Sequence, residues 1–346
     1  MQRQPSALPF FFGRHMEELK DKQKPRKIAV FGNFLGETEC RKIETIVAPH
    51  GFSVQYHARN TPPEGLIDDC EIVYGSIGPD VVRAAKSARW ICAARAGVNT
   101  LCDEGLYRNP DCILSNSCGA YGVTVAEHTV MLLLMLLRRQ PENDAALRAG
   151  GWKPEKKQIM TVSGSRITVL GTGDLGSCFA ERIRAFHPKN LIGIRRNPER
   201  QNPLFDEIRG ISELDRILPE TDILVMCLPD TDETKGLMSA ERIALLPNES
   251  YLVNVGRGTA LDQFALLKAL SEGQLTGAAL DVVDPEPPGA DDPVRHTENL
   301  ILTPHVAGNI NNRLSIDNLI DIFCDEFERY ISGKPLLHQI DRKRGY

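Results

Sequence analysis

The chain has 346 residues, which is enough for two domains, and its 42% hydrophobic and 25% charged residues are typical of a globular protein. A net charge of -5 and a pI near 6.0 give no support for binding to nucleic acid. The longest uninterrupted apolar run, residues 130–137, is too short to span a bilayer. We therefore expect a cytoplasmic protein with no nucleic-acid or membrane partner.

Three further features of the sequence point to no chemistry of their own. We expect residues 1–26 to be a partly ordered extension, and the apolar stretch 7–12 within them is too short for a signal-peptide core. The basic stretch 341–344 is short, and we expect it to be solvated. The nine cysteines form no CxxC pair, so we expect buried, reduced thiols and no metal site.

The first half of the chain alternates short apolar runs with amphipathic stretches. The runs predict strands at 28–31, 53–56, 71–74, 90–93 and 112–115. The stretches between them predict helices, among them 37–47 and 80–87. This alternation predicts a small parallel sheet with helices on both faces.

A long helix is predicted next, over residues 123–139. Glu127 and His128 lie near its start, and its middle is almost wholly apolar. A helix that is apolar all round is buried, either inside one subunit or across a subunit interface. The sequence leaves both possibilities open.

A second β/α series follows the Gly150-Gly151 break. Strands are predicted at 166–170, 191–194, 223–227, 251–255, 278–280 and 300–302. A last helix, 313–332, ends at Gly333. The two halves share an architecture, so we expect an α/β protein with two parallel sheets.

A glycine-rich turn follows the first strand of the second series. It reads Gly171-Thr172-Gly173-Asp174-Leu175-Gly176, and a predicted helix over 175–186 and the strand 191–194 come after it. In this context the glycines allow a tight turn, close approach of the backbone to a pyrophosphate, and close helix–strand packing. The helix N-terminus then faces the phosphates, so the turn predicts a dinucleotide site.

The end of the second strand in this series discriminates between dinucleotides. An NAD site usually has Asp or Glu there, which bonds to the ribose 2′-hydroxyl. This chain has Arg195 and Arg196 instead. Two guanidinium groups suit a 2′-phosphate, so we predict a preference for NADP(H), with NAD(H) also possible.

Three more segments each follow a predicted strand and each supply one reactive side chain. They are Asn254-Val-Gly-Arg257-Gly258, Asp281-Val-Val-Asp-Pro-Glu286-Pro and Thr303-Pro-His305-Val-Ala-Gly308. A guanidinium can hold a carboxylate and polarise a neighbouring carbonyl, and an imidazole suits reversible proton transfer near neutral pH. A cation, a carboxylate and an imidazole beside a dinucleotide site are the groups needed to reduce a 2-keto acid with hydride.

Together these motifs resemble the D-isomer-specific 2-hydroxyacid dehydrogenase family, over about residues 70–335. The resemblance implies two Rossmann-like, doubly wound parallel-sheet domains with the active site in the cleft between them. A substrate-binding domain would comprise 1–120 and 309–346, and a dinucleotide-binding domain 121–308. The resemblance also implies a homodimer formed through the dinucleotide domain and the helix 123–139.

The resemblance assigns roles to particular residues. Arg257 would bind the substrate carboxylate and carbonyl oxygen, His305 would be the general acid/base, and Glu286 would orient the ring and stabilise its protonated form. The loop after strand 90–93 would bind substrate, with backbone N–H groups from Ala96, Gly97 and Val98, and with Arg95 either adding a second positive charge or serving the structure. The predicted cofactor-binding residues are Gly171, Thr172, Gly173, Asp174, Leu175, Gly176, Arg195, Arg196, Cys227, Leu228, Pro229, Val255, Gly256, Asp281, Ala307 and Gly308.

Some departures from the family pattern leave the substrate open. Val283 and Asp284 stand where an aromatic-acidic pair is common, and 293–295 (Pro-Val-Arg) stand where Pro-Leu-Trp is common, so pocket size and polarity stay undetermined. We expect a 2-keto acid reductase producing (R)-2-hydroxy acids, with glyoxylate- or hydroxypyruvate-like substrates first. The missing second-strand acid disfavours phosphoglycerate, and Glu286 disfavours formate. The alternatives are a dinucleotide-sensing, corepressor-like interaction module and a dehydrogenase for another small anion.

Overall fold

Two all-parallel β-sheets form the scaffold, and a computed structural model describes the chain over 25–345 apart from 59–61, 63–64 and 153–158. The first sheet has the order β2-β1-β3-β4-β5 and contains β1 (Arg26–Phe31), β2 (Phe52–His57), β3 (Ile72–Gly75), β4 (Trp90–Ala93) and β5 (Ile113–Ser115). The second has the order β12-β11-β10-β9-β6-β7-β8 and contains β6 (Arg166–Leu170), β7 (Asn190–Arg195), β8 (Glu207–Gly210), β9 (Ile223–Met226), β10 (Ser250–Asn254), β11 (Leu275–Leu280) and β12 (Leu300–Leu302). The prediction of two parallel α/β sheets is therefore confirmed.

Nine α-helices lie in the described part of the chain. They are α1 (Glu37–Val47), α2 (Pro79–Ala84), α3 (Gly122–Leu137), α4 (Gln140–Arg148), α5 (Asp174–Ile183), α6 (Leu214–Ile217), α7 (Ala240–Ala244), α8 (Gln263–Ser271) and α9 (Arg313–Ile331). The predicted long helix ends at Leu137 rather than at Arg139, because Arg139 adopts a left-handed φ of 52° and is the N-cap of α4. Most of the predicted extension, 1–24, lies outside the described residues, and Arg26 already belongs to β1.

Both sheets are covered by helices on both faces, which explains their nearly continuous apolar strands. In β1, Ile28 and Val30 pack with α1 and α9, whereas the alternate residues Ala29 and Phe31 pack with α2. In the second sheet, alternate residues of β9 divide in the same way between a cluster containing α3 and α5 and a cluster containing α8.

Helix α9 returns from the second sheet to the first and closes its aromatic core. The Phe323 ring stacks on Tyr74, with centroids 4.2 Å apart, and on Trp90, at 5.6 Å. The Tyr74 hydroxyl donates a hydrogen bond to Leu319 O at 3.1 Å. The chain beyond α9 then bonds to the edge strand β5 through Ile340 N, which donates to Leu114 O at 2.8 Å. This return is compatible with the predicted split domain, whose bounds remain a prediction.

No helix among the described residues is long and apolar enough to cross a bilayer, and the cytoplasmic location remains a prediction. All nine cysteines lie in the described residues, and none forms a disulfide. Cys70, Cys92, Cys112 and Cys324 are buried, and burial raises the pKa of Cys92 to about 12. Cys118 is exposed, so the expectation of buried thiols is wrong at that position.

Candidate active site

The predicted site residues of the second sheet gather at one edge, because every strand in it is parallel and each residue lies at or after a strand's carboxyl end. The glycine turn follows β6, Arg195 ends β7, Cys227 follows β9 and Val255 follows β10. Asp281 comes directly after β11, and the His305 segment comes after β12. The order of strands thus assembles residues that are distant in the sequence.

The glycine turn has the close contacts that only glycine allows. Gly171 has a φ of 96°, and a Cβ there would lie 2.7 Å from the Cys227 carbonyl oxygen. A Cβ on Gly176 would lie 2.0 Å from the Gly171 carbonyl oxygen, which seats α5 tightly on β6. Gly173 precedes α5, and no side chain caps the first turn of that helix. The first N–H groups of α5 are thus available to an anion.

The side chains of the two residues after Gly173 point away from this anion position. The Asp174 carboxylate packs against α3, where a Cβ on Gly122 would lie 2.4 Å from its Oδ1. Burial raises the pKa of Asp174. Leu175 packs on the hydrophobic core. Both residues can therefore contribute only backbone N–H groups to the predicted cofactor site.

A groove of about 470 Å³ extends from the turn along the ends of β7 and β9. Its lining includes Gly171, Thr172, Gly173, Arg195, Arg196, Arg200, Leu228, Pro229, Thr231 and Glu233. The Thr172 hydroxyl is buried and has no hydrogen-bond partner among the described residues. A phosphate-binding turn at one end and guanidinium groups at the other fit a dinucleotide.

The arginines at the end of β7 make local contacts that the sequence did not indicate. Arg195 Nη1 donates to the Arg200 carbonyl oxygen at 2.8 Å. Arg196 Nη1 lies 3.4 Å from Glu233 Oε2 in an exposed ion pair. Arg200 and Glu233 were not predicted as site residues, because they come from loops with no recognisable motif.

Arg257 is held at the cleft by a hydrogen-bonded turn after β10. The buried Asn254 side chain donates to Arg257 O at 2.9 Å and accepts from Gly256 N at 3.0 Å. Gly256 approaches Leu228 so closely that a Cβ would lie 2.6 Å from Leu228 N, and the neighbouring Val255 is buried. Burial lowers the pKa of Arg257, and the nearby carboxylates of Asp230 and Glu286 oppose this effect.

The predicted imidazole–carboxylate pair is formed. His305 Nδ1 lies 2.6 Å from Glu286 Oε1, and both side chains are 42% exposed. His305 has a left-handed φ of 52°, and its N–H donates to Asp281 O at 2.9 Å. Within the described residues its Nε2 has no partner, so that nitrogen is available to a substrate.

Asp281 fixes the loop that carries His305. Its carboxylate is buried and accepts hydrogen bonds from Thr303 Oγ1 at 2.6 Å, Val306 N at 2.9 Å and Ala307 N at 3.0 Å. Sequence reasoning missed this role, although an Asp beside the next parallel strand's Thr-Pro-His-Val-Ala run was a usable signal. The predicted cofactor contact of Asp281 remains a prediction.

The first sheet contributes the loop after β4. Tyr121 Oη donates to Ala94 O at 2.9 Å, and Asn116 Nδ2 donates to Ala96 O at 2.7 Å. These bonds hold the loop by its carbonyl oxygens. The N–H groups of Ala96, Gly97 and Val98 have no acceptor in the part of the chain that the structure describes. The loop can therefore present three adjacent donors to a carboxylate.

This loop meets Arg257 across the cleft. A Cβ on Gly97 would lie 2.0 Å from Arg257 Nη2, so the guanidinium rests directly on the glycine. Arg95 lies nearby, where burial first and the charge of Arg257 second lower its pKa. Its Nη2 donates to Thr100 Oγ1 at 3.1 Å, whereas its buried Nε has no partner among the described residues. Two cations, one from each wall, thus lie close together in the cleft.

One further contact joins the units that carry the two sheets, and Ala307 and Gly308 lie against α3. Asn99 Nδ2 donates to Asp230 O at 2.6 Å, beside the loop that contains Pro229. At the base of the cleft, Ala307 is buried, and a Cβ on Gly308 would lie 2.9 Å from Val125 of α3. Ala307 and Gly308 therefore meet α3 with backbone and small atoms only.

Comparison with known proteins identifies the family. The model of the D-isomer specific 2-hydroxyacid dehydrogenase NAD-binding domain matches residues 130–307. The glycerate dehydrogenase of Methylorubrum extorquens is 32% identical over 302 residues, which cover 83% of this chain and 91% of that protein. A glyoxylate/hydroxypyruvate reductase of Arabidopsis thaliana is 30% identical over 230 residues, which cover 66% of this chain and 69% of that protein.

The same family appears among solved structures. A probable 2-hydroxyacid dehydrogenase from Rhizobium etli, solved with NADP, HEPES and L(+)-tartaric acid, superposes with a TM-score of 0.74 at 28% identity. The match covers 93% of this chain and all of that one. Since the family model alone spans half of the sequence, this chain belongs to the D-isomer specific 2-hydroxyacid dehydrogenase family and is an enzyme of that class.

Proposed function

We propose that this enzyme reduces a small 2-keto acid to the (R)-2-hydroxy acid, with a preference for NADP(H), and that glyoxylate- or hydroxypyruvate-like acids are its substrates. The observation that carries the proposal is the 2.6 Å contact between His305 Nδ1 and Glu286 Oε1, with Nε2 left available. The named activities of the Arabidopsis and Methylorubrum relatives support this substrate class.

Each proposed role follows from a position in the cleft. Arg257 would bind the keto acid's carboxylate and polarise its carbonyl, and the N–H groups of 96–98 would bind the carboxylate from the opposite wall. A bound nicotinamide would supply hydride to the carbonyl carbon. His305 Nε2 would give a proton to the carbonyl oxygen, so that a C–H and an O–H bond form while the π bond of the carbonyl is lost and the C–O single bond remains.

Glu286 would act through the ring of His305. A carboxylate on Nδ1 fixes the orientation and tautomer of the imidazole and stabilises the protonated form. The buried Asp281 would keep the backbone of the loop in place, so that Nε2 meets the substrate at a constant position.

The cofactor preference rests on the end of β7. Arg195 and Arg196 line the groove, and no carboxylate takes the place of the usual second-strand acid. The Rhizobium structure was solved with NADP, which supports the preference. NAD(H) is the weaker cofactor in this proposal.

Steady-state kinetics test the proposal. Absorbance loss of NADPH and of NADH would be measured with glyoxylate, hydroxypyruvate, pyruvate, phenylpyruvate and 2-ketoisocaproate. We expect turnover that favours NADPH, and a loss of kcat by about 10²–10⁴-fold in His305→Ala with NADPH binding retained. Cofactor binding without turnover of any acid would contradict the proposal and favour the corepressor-like alternative. Turnover with NADH alone would contradict only the cofactor preference.

We also propose that the enzyme is a homodimer formed through α3 and the dinucleotide-binding unit. Helix α3 buries Leu132, Leu133 and Leu136 inside the chain, whereas Met131 remains 43% exposed. Leu147, one helix later, is also exposed. Exposed apolar side chains on neighbouring helices favour a covering surface.

A further inference from the structure

A basic turn at residues 341–345 has a hydrogen-bonded backbone although Asp341, Lys343 and Arg344 are exposed. The Asp341 carboxylate accepts hydrogen bonds from Lys343 N at 3.0 Å and Arg344 N at 3.3 Å. Its carbonyl oxygen accepts from Gly345 N at 2.9 Å. The exposed Lys343 and Arg344 agree with the expectation of a solvated stretch, and the backbone hydrogen bonds add a defined conformation that sets where these two residues lie.

The basic turn is anchored on the unit that carries the first sheet. Arg342 donates to Pro110 O at 2.8 Å, and its guanidinium lies 4.3 Å from the centroid of the Tyr107 ring. Ile340, just before it, bonds to β5. Arg342 thus holds the turn in place. Arg344 Nε lies 3.4 Å from Asp341 Oδ2, an exposed and therefore weak ion pair within the turn.

Those two side chains face the other unit. Lys343 and Arg344 line a groove of about 430 Å³ together with Arg196, Thr231, Asp232 and Glu233. Arg196, Thr231 and Glu233 also line the cofactor groove, so the two grooves adjoin each other. The Asn99–Asp230 hydrogen bond ties the two units together just beside this junction.

The two adjoining grooves together carry a surplus of positive charge. They contain two carboxylates, Asp232 and Glu233, and five cations, Arg195, Arg196, Arg200, Lys343 and Arg344. Glu233 is engaged with Arg196 at 3.4 Å, and that exposed pair is weak. A surplus of cations around one opening favours a multiply charged anion such as a phosphate monoester.

We propose that Lys343 and Arg344 complete the binding site for the 2′-phosphate of NADP(H), opposite Arg195 and Arg196. The proposal rests on the NADP(H) preference proposed above. Since the basic turn belongs to one unit and the β7 arginines to the other, the phosphate would be held from both sides. Cofactor discrimination would then depend on residues from both units and not on the β7 arginines alone.

Binding measurements on the full chain test this site. The variant Lys343→Gln/Arg344→Gln would be compared with wild type and with Arg83→Gln/Lys86→Gln, which removes two exposed cations outside the grooves, one in α2 and one just after it. Dissociation constants would be measured by fluorescence titration for NADPH, NADH, adenosine 2′,5′-bisphosphate and 5′-AMP. We expect the variant to weaken the two 2′-phosphorylated ligands about tenfold, and the other two less than about twofold.

The controls separate the possible results. The charge-conserving variant Lys343→Arg/Arg344→Lys should keep most of the affinity for the 2′-phosphorylated ligands. Unchanged discrimination in the Gln variant, or equal weakening of all four ligands, would overturn the role of the basic turn while leaving the NADP(H) preference intact. A wild-type protein that binds NADH as tightly as NADPH would overturn the preference itself, and this inference with it.

Discussion

At the scale of single residues, Asp281 holds the loop that positions His305. It is buried, and it accepts hydrogen bonds from one hydroxyl and two backbone N–H groups in the loop that carries His305. An amide in its place would direct an NH₂ group at backbone N–H donors. The charge and the two acceptor oxygens are both needed there.

We predict that Asp281→Asn lowers the free energy of unfolding by about 1–3 kcal/mol, because a buried set of hydrogen bonds is partly lost. It should also lower kcat, because His305 is no longer held in place. Urea denaturation and steady-state kinetics measure the two effects. Asp291→Asn, on an exposed residue, is the matched control. A variant with wild-type stability and kcat would contradict this role.

At the scale of elements, the cleft is formed where the loop after β4 meets the loop after β10. Each loop is fixed by hydrogen bonds on its own side, through Asn116 and Asn254 respectively. Their contact is the Arg257 guanidinium against Gly97, where no room for a Cβ exists. Parallel strands explain why such loops converge at one edge within a sheet, and the relative placement of the two sheets explains why the two edges face each other.

We predict that Gly97→Ala leaves stability nearly unchanged but lowers kcat/KM by about 10–100-fold. The three atoms nearest to the new methyl group all belong to the end of the long Arg257 side chain, which can shift, and the displaced guanidinium would then bind substrate poorly. Gly289→Ala is the control, because a Cβ there meets no atom within 4 Å. Thermal denaturation and kinetics decide the matter, and unaltered kcat/KM would contradict the proposed role of this contact.

At the scale of the whole molecule, the C-terminal part of the chain connects the two units. Helix α9 packs on the first sheet, and the basic turn lies beside the second. The buried Glu326 of α9 accepts from Leu337 N at 3.1 Å and His338 N at 2.7 Å and fixes the return. Burial would raise the pKa of Glu326, but the hydrogen bonds with His338 and Leu337 lower it below its ordinary 4.5.

A lowered folded-state pKa makes the stability depend on pH in one direction. The contribution of Glu326 is present above about pH 4.5 and is lost as the pH falls through the folded-state pKa. We predict that Glu326→Gln is less stable than wild type near neutral pH and that the difference shrinks in acid. Urea denaturation across this pH range measures it, with the exposed Glu328→Gln as control. A difference that does not vary with pH would contradict the prediction.

The proposed dimer makes its own prediction. Light scattering should give the wild type a mass of twice the 38.4 kDa of one chain. For Met131→Glu the mass should shift toward that of a single chain, because the new charge would be buried in the dimer interface without a partner. Phe264→Glu, on an exposed side chain of α8, should leave the mass unchanged. A monomeric wild type would contradict the dimer.

The sequence predicted those strands and turns that have a local pattern of apolar residues or glycines. It located eleven of the twelve strands and the turn at Gly171, because apolar runs and glycine spacing are local signals. It missed β8, since Glu-Ile-Arg-Gly is an edge strand with polar alternate residues. The placement of Lys343 in the same groove as Arg196 joins segments distant in sequence, and no local pattern reveals it.

The stacking of Phe323 on Tyr74 and Trp90 has a consequence for how the protein is made. Ribosomal synthesis delivers β1–β5 first, yet their aromatic face is covered only when α9 has emerged. All strands of the second sheet precede α9, so that unit can fold while the first still waits. The half of the enzyme that is synthesised first would therefore be the last to finish folding, and its nascent aromatic face would depend on protection until then.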